Sequence, residues 1–208
     1  MVGSALFAIG VPLSLDSGLA PAVAAWTFFV GSLFFTTAGA LQLLTSRERF
    51  EPAGRGDRSR VVLGQALRAR DIDWGAAATQ FLGTLAFNVT TLRGALVASG
   101  SSDASAALVW RPDAVGSALF LVASALALLP EVRRRRHDHV RGRSWTIAAL
   151  NMLGSVFFGL SAIGAFTDPG SDELLNARWS NSGTFLGALC FLLGAALLLP
   201  RRSRSTPS

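Results

Sequence analysis

The chain is poor in the side chains on which most enzymes and soluble domains depend. Its 208 residues include one cysteine, two histidines and no tyrosine, and only 15% of them are charged. Soluble domains carry roughly 25% charged residues, so the composition excludes an ordinary soluble fold. A single cysteine excludes a disulfide framework and a redox pair. Lysine is also missing, so all 19 basic residues are arginine.

The chain is rich instead in long apolar segments. Half of the residues are hydrophobic, and a helix needs roughly 20 apolar residues to cross a hydrocarbon core about 30 Å thick. Six segments are candidates, the first of them short: residues 2–15, 21–45, 74–91, 113–129, 145–166 and 181–199. We therefore predict an all-α polytopic membrane protein with six transmembrane helices.

Proline and tryptophan mark the expected ends of these segments. Pro112 suits the first turn of a helix, and Pro130 and Pro200 stand where the fourth and sixth segments are expected to stop. Each of the five tryptophans lies near the start of a segment, which is typical of residues at the membrane–water boundary: Trp26, Trp74, Trp110, Trp145 and Trp179.

Arginine is divided unevenly between the connections. With six spans, 16 arginines fall on one face, in residues 46–73, 131–144 and the tail 201–208. Arg93, Arg111 and Arg178 fall on the other face. The excess predicts a protein of the plasma (inner) membrane with both termini in the cytoplasm. There we expect the arginine clusters to meet anionic lipid and not nucleic acid.

One motif recurs in every apolar segment: a glycine, then a small residue, and a phenylalanine four positions after the glycine. Random placement of 21 glycines and 14 phenylalanines would give about one such pair. The copies are Gly3/Phe7, Gly31/Phe35, Gly83/Phe87, Gly116/Phe120, Gly154/Phe158 and Gly187/Phe191. Glycine and phenylalanine at this spacing share one helix face.

The copies also match between the two parts of the chain. Residues 2–7 and 115–120 are both Val-Gly-Ser-Ala-Leu-Phe. This favours a first three-helix half, 1–97, a second three-helix half, 98–200, and a basic cytoplasmic tail, 201–208. Because three is odd, the second half would enter the membrane from the opposite side, as in the inverted repeats of transporters.

The motif has two interpretations. It favours close helix packing, since glycine admits a neighbouring backbone and the small polar neighbour can hydrogen-bond across helices. The alternative is a motif that lines a pathway.

The segment 26–35, Trp-Thr-Phe-Phe-Val-Gly-Ser-Leu-Phe-Phe, together with Leu-Gln-Leu-Leu at 41–44, resembles the YrhK-like domain. That domain is a small bacterial membrane module with tandem helices of this kind. The resemblance covers the apolar segments and implies a bacterial membrane protein of unknown activity.

Residues that could carry chemistry are few. His137 and His139 lie in a basic loop and lack the further ligands that a metal site needs. No segment has a charged residue at its centre, which argues against a proton relay. Asn88 and Asn151 remain, either as helix-packing groups or as the lining of a polar cavity. We expect no enzyme, no cofactor and no metal.

Two classes of function stay open. One is a non-enzymatic structural or accessory protein, which could form a homo-oligomer through its small-residue faces. The other is a small pore or carrier for a neutral solute, suggested by the inverted repeat. A polar cavity near Asn88 and Asn151 would favour the second class, and a dry closed bundle the first.

The first segment is short and lacks an aromatic anchor. A signal peptide is the rival interpretation, but the basic stretch that precedes the apolar region of such a peptide is missing. We expect a retained first helix and a natural start upstream of Met1.

The arginine distribution makes the topology testable. A reporter fused at Gly54 or after Ser208 should be cytoplasmic, and one at Ser101 or Gly170 should be external, because arginine-rich connections stay inside. Protease protection of the reporter would measure the side. Equal protection at Gly54 and Ser101 would contradict six spans.

Overall fold

The structure, a computed structural model, describes residues 1–48, 59–138, 142–167 and 174–199. These residues form six helices, and the β-structure among them is confined to one isolated bridge between Thr167 and Leu174. The helices are α1 (Val2–Leu15), α2 (Pro21–Glu48), α3 (Ser59–Ala98), α4 (Ala106–Asp138), α5 (Arg143–Gly164) and α6 (Ala177–Ala196). The predicted all-α class is confirmed.

Four helices are long and apolar enough to cross a membrane. The candidate spans are Pro21–Ser46, Ile72–Ala98, Ala106–Arg133 and Arg143–Gly164. Helix α1 has 14 residues, and α6 has 20 with a polar first turn. Large apolar side chains such as Leu41, 58% exposed, and Leu193, 56% exposed, lie on the outside, as expected of surfaces that face lipid. The chain is therefore compatible with a multi-pass membrane protein.

The six helices form a ring in chain order. Each helix packs against the next one in the sequence, and α6 closes the ring against α1. Successive helices run in opposite directions: Trp26 near the start of α2 bonds Ser99 after the end of α3, and Ser32 bonds Thr91. Met1 and Leu198 line the same cavity, so the start of α1 and the end of α6 lie at one end of the ring.

Within the ring the motif glycines meet in three helix hairpins. A Cβ atom on Gly3 would lie 2.8 Å from the carbonyl oxygen of Gly31, and one on Gly31 would lie 2.8 Å from the ring of Phe7. Gly83 meets Gly116 in the same way in α3–α4, and Gly154 meets Gly187 in α5–α6. Each glycine thus receives the motif phenylalanine of its hairpin partner.

This order differs from the expected pair of inverted halves. Rotation by 180° about an axis in the membrane plane reverses the order of the helices around a ring. A rotation that superposes α1 on α4 would therefore superpose α2 on α3, whereas the expected halves require α2 to superpose on α5. The contacts instead relate α1–α2, α3–α4 and α5–α6 as three successive copies. The boundary expected at residue 97 falls between α3 and α4, whose motif glycines pack together.

Two prolines lie inside α4 and do not end it. Pro112 and Pro130 are both interior to the helix, which begins at Ala106 and continues to Asp138. A proline lacks the N–H that would bond the carbonyl four residues earlier. For Pro112 that carbonyl belongs to Leu108, and the Arg93 guanidinium of α3 donates to it at 2.7 Å. The neighbouring helix therefore satisfies the group that proline leaves free.

The tightest contacts between a glycine and the backbone of a neighbouring helix lie outside the motif. A Cβ atom on Gly183 would come within 2.6 Å of the Phe157 carbonyl oxygen and 2.8 Å of the Ser161 nitrogen. Gly164 is as close to the backbone of Ser180 and Asn176. Backbone atoms cannot swing away as a side chain can, so these two glycines fix the distance between α5 and α6.

We expect Gly183→Ala to lower stability by about 1–3 kcal/mol, because the added methyl must push α5 and α6 apart. Gly75 is the matched control, since a Cβ atom there would meet nothing within 4 Å. Gly75→Ala should raise stability by up to about 1 kcal/mol through helix propensity. Thermal unfolding in detergent measures both, and equal midpoints for the two variants would contradict the packing account.

Candidate functional site

The six motif phenylalanines meet at the centre of the ring. Phe120 is 1% exposed, and Phe7, Phe87, Phe158 and Phe191 are each at most 8% exposed. Phe35 packs against this group from α2. Ring centroids lie 4.9 Å apart between Phe87 and Phe120 and 5.4 Å apart between Phe158 and Phe191. We call these six residues the phenylalanine cluster; they fill the axis of the bundle at mid-height.

A cavity of about 180 Å³ lies on one side of the phenylalanine cluster. All six helices contribute to its lining, and Phe35 and Phe191 form part of its floor. Its other end lies among Met1, Leu198 and Ile147, where α1 and α5 begin and α6 ends. We call it the axial cavity. It is at the end of the ring to which the arginine-rich connections α2–α3 and α4–α5 attach.

Small residues at equivalent helix positions make room for the axial cavity. Ala38, Ala123 and Gly194 each lie seven residues after the second motif glycine of a hairpin, and all three line the cavity. The ring narrows at the motif glycines and widens where these small side chains leave space. The cavity is thus a consequence of the threefold hairpin arrangement.

Among the described residues, no charged side chain lines the axial cavity. The polar lining comprises Ser4, Gln42, Gln80, Thr84, Ser124 and Asn151. Ser124 and Ser155 share a hydrogen bond of 2.7 Å, and the Ser155 hydroxyl lies 3.0 Å from the Asn151 carbonyl oxygen. Hydroxyl and amide groups can exchange hydrogen bonds with an uncharged solute as donors and as acceptors.

The two asparagines singled out in the sequence are not brought together. Asn151 lines the axial cavity, and its Oδ1 lies 3.0 Å from the place a Gly194 Cβ would take. Asn88 does not line it. The Asn88 Oδ1 is buried and lacks a hydrogen-bond partner within the described part of the chain. Only one of the two expected residues therefore belongs to a polar cavity.

Sequence reasoning missed Asp113. The apolar pattern places Asp113 at the start of a segment, directly after Pro112, but α4 begins at Ala106 and carries Asp113 two turns inside the helix. Asp113 lines a second cavity of about 340 Å³, at the opposite end of the bundle, which we call the outer cavity. A signal was present in the sequence, since tryptophan is typical of the membrane–water boundary and Asp113 follows Trp110 on the side of the apolar segment.

The described residues contain no group of three side chains suited to hold a metal ion. The side chain of His137 and all of His139 lie outside the described residues, as does the tail 201–208.

No protein-family model, curated protein or solved structure matches the chain. The resemblance to the YrhK-like domain stays a prediction from the two apolar strings that carry it.

The unpaired carbonyl of Asn88 leads to a stability prediction. Asn88→Leu should raise the unfolding midpoint, because a buried acceptor without a partner costs about 1–3 kcal/mol. Ser124→Ala is the opposite case: it removes a hydroxyl bonded to Ser155, and the midpoint should fall. Thermal unfolding in one detergent compares the two. A lower midpoint for Asn88→Leu would show that Asn88 has a partner.

Proposed function

We propose that this protein is a non-enzymatic six-span protein of the plasma membrane that binds a small uncharged solute in the axial cavity and conducts it as a small pore or carrier. The observation that carries the proposal is the axial cavity itself. All six helices line it, its polar side chains are neutral, and the phenylalanine cluster closes its inner end.

The packing of α1 and α6 supports six spans. Helix α1 lies against both α2 and α6 along its length, with Met1 at the axial cavity and Leu15 beside Ala177 at the other end. At about 1.5 Å per residue the two helices are about 21 Å and about 30 Å long. The short α1 would be accommodated by local thinning of the bilayer.

The charge distribution supports the orientation. An even number of spans puts both termini and the two arginine-rich connections on one side, which the positive-inside rule assigns to the cytoplasm. Arg143 at the start of α5 donates to the carbonyl oxygens of Leu197 and Leu199 after α6, the second at 2.6 Å. A cation at the end of a helix stabilises its free carbonyls. In this orientation the axial cavity faces the cytoplasm and anionic lipid surrounds it.

The phenylalanine cluster would then be the gate. The six rings pack against one another on the axis of the bundle, which supports a closed state of the gate. Aromatic rings held by tilted and edge contacts can change rotamer without losing hydrogen bonds, since they make none. Conduction requires the rings to separate, while Gly183 and Gly164 keep the helix backbones in place.

The closed centre also favours the second candidate, a structural or accessory protein. A homo-oligomer would not use the motif faces, because the motif glycines are buried within one chain. It would need the apolar outer surface instead. A measurement of solute uptake separates the pore or carrier from the structural or accessory protein.

We expect proteoliposomes of the full chain to take up glycerol or urea faster than protein-free vesicles, measured by stopped-flow light scattering. Gln80→Leu, which removes an amide from the axial cavity, should slow the uptake. Thr37→Val removes a hydroxyl from the exposed outer face and should leave it unchanged. Phe158→Leu should raise the rate, because a smaller side chain loosens the gate.

Uptake equal to that of protein-free vesicles in the parent chain and in Phe158→Leu would reject the pore or carrier and leave the structural role. Equal slowing by Gln80→Leu and Thr37→Val would show that the route does not pass through the axial cavity.

A further inference from the structure

The outer cavity holds a carboxylate that the bundle does not use. Within the described part of the chain Asp113 has no hydrogen bond and no ion pair, and the described residues that line the cavity include no basic side chain. A charged group inside a membrane span is costly, and such groups usually serve a ligand or a pathway. The packing of the hairpin therefore leaves Asp113 unexplained.

Comparison of the three hairpins shows how unusual this position is. Asp113 lies three residues before Gly116, and the matching positions are Phe28 in α2 and Thr184 in α6. A Cβ atom placed on Gly10 of α1 would lie 2.6 Å from the Phe28 ring. The Thr184 hydroxyl hydrogen-bonds the Ser161 hydroxyl of α5 at 2.7 Å. Both therefore contact the partner helix of their own hairpin. Asp113 is the copy for which the described residues show no hydrogen bond to the partner helix.

The two threonine hydroxyls of the outer cavity can act toward a ligand only as hydrogen-bond acceptors. The Thr90 hydroxyl donates its proton to the Val109 carbonyl, and the Thr167 hydroxyl donates to the Ala165 carbonyl at 3.3 Å. A hydroxyl whose proton is engaged offers lone pairs only. An ionised Asp113 is likewise an acceptor. A ligand that fits these three side chains must bring donors and positive charge.

The rest of the lining is apolar and aromatic. Val97, Val109 and Leu174 form walls, and Trp110, fixed by its bond to the Ala162 carbonyl at 2.7 Å, adds an indole ring. A tight site for a divalent metal ion usually combines several carboxylate or carbonyl oxygens, and the described lining offers a single carboxylate and belongs to no group of metal-binding side chains. An ammonium group with an apolar body fits both parts, since aromatic rings also attract cations.

Space for such a body is open beside Gly94. A Cβ atom on Gly94 would meet no atom closer than Val109 Cγ1 at 3.9 Å. We propose that the outer cavity binds a small organic ammonium ion, with Asp113 neutralising the charge and Thr90 and Thr167 accepting its N–H groups. This site is at the opposite end of the bundle from the axial cavity and does not depend on conduction.

Binding of n-butylammonium to the full chain in nanodiscs, measured by saturation-transfer NMR, tests the proposal. 1-Butanol, which has the same body without the charge, should bind at least about tenfold more weakly, and sodium should not compete. Asp113→Asn should weaken n-butylammonium binding by about ten- to a hundredfold, because this is the change in affinity that corresponds to the loss of a hydrogen bond to a charged group.

Asp103→Asn makes the same charge change in the exposed loop between α3 and α4 and should leave the affinity unchanged. Gly94→Leu fills the outer cavity while the Asp113 carboxylate stays in place, and it should also abolish binding. This variant tests the site independently if Asp113→Asn does not fold. The proposal is overturned if the two asparagine variants bind alike, or if 1-butanol or sodium displaces n-butylammonium at equal concentration. Because the readout is binding alone, its failure leaves the glycerol experiment unaffected.

Discussion

The reciprocal contact between a glycine and the phenylalanine of the facing helix determines the rest of this structure. In each hairpin the two glycines bring the backbones together, and each ring packs on the glycine opposite, as Phe120 does on Gly83 and Phe87 on Gly116. Because the contact is mutual, both rings of a hairpin point to the same side. Three such hairpins around one axis therefore gather six rings into one cluster.

The cavities follow from this arrangement because close packing is confined to one level of the bundle. At the motif glycines the helices touch, and the rings occupy the axis. Toward the arginine-rich end, small residues such as Ala38 and Ala123 face the axis, and the described side chains leave the axial cavity between them. One end of the bundle therefore holds a cavity with both apolar and polar lining, while aromatic rings fill its middle.

The sequence predicts the presence of helices and their shared motif, because apolar length and a once-per-helix repeat are local properties, but α3 and α4 begin at Ser59 and Ala106, well before the predicted segments at 74–91 and 113–129. It predicts α1 to the residue and the all-α class. It fails on the order of packing, since six nearly identical motifs leave open which pairs meet. The identity between residues 2–7 and 115–120 suggested two halves, but both stretches obey a rule common to all six helices. The cavity residue Asn151 could be guessed from its polarity, whereas Asn88 could not be separated from it without the ring order.

The α3–α4 hairpin departs furthest from the common rule, and its departures are connected. Pro112 removes a backbone donor, and Arg93 of α3 turns to the Leu108 carbonyl that is left free. Thr90, one turn before Arg93, bonds the next carbonyl, that of Val109. Both side chains are thereby engaged with the backbone of α4, and the described residues supply no hydrogen-bond donor to Asp113. In the α1–α2 and α5–α6 hairpins the matching residues, Phe28 and Thr184, contact the partner helix. In the α3–α4 hairpin the Asp113 carboxylate has no hydrogen bond among the described residues, and such a departure from the common packing is typical of a functional site.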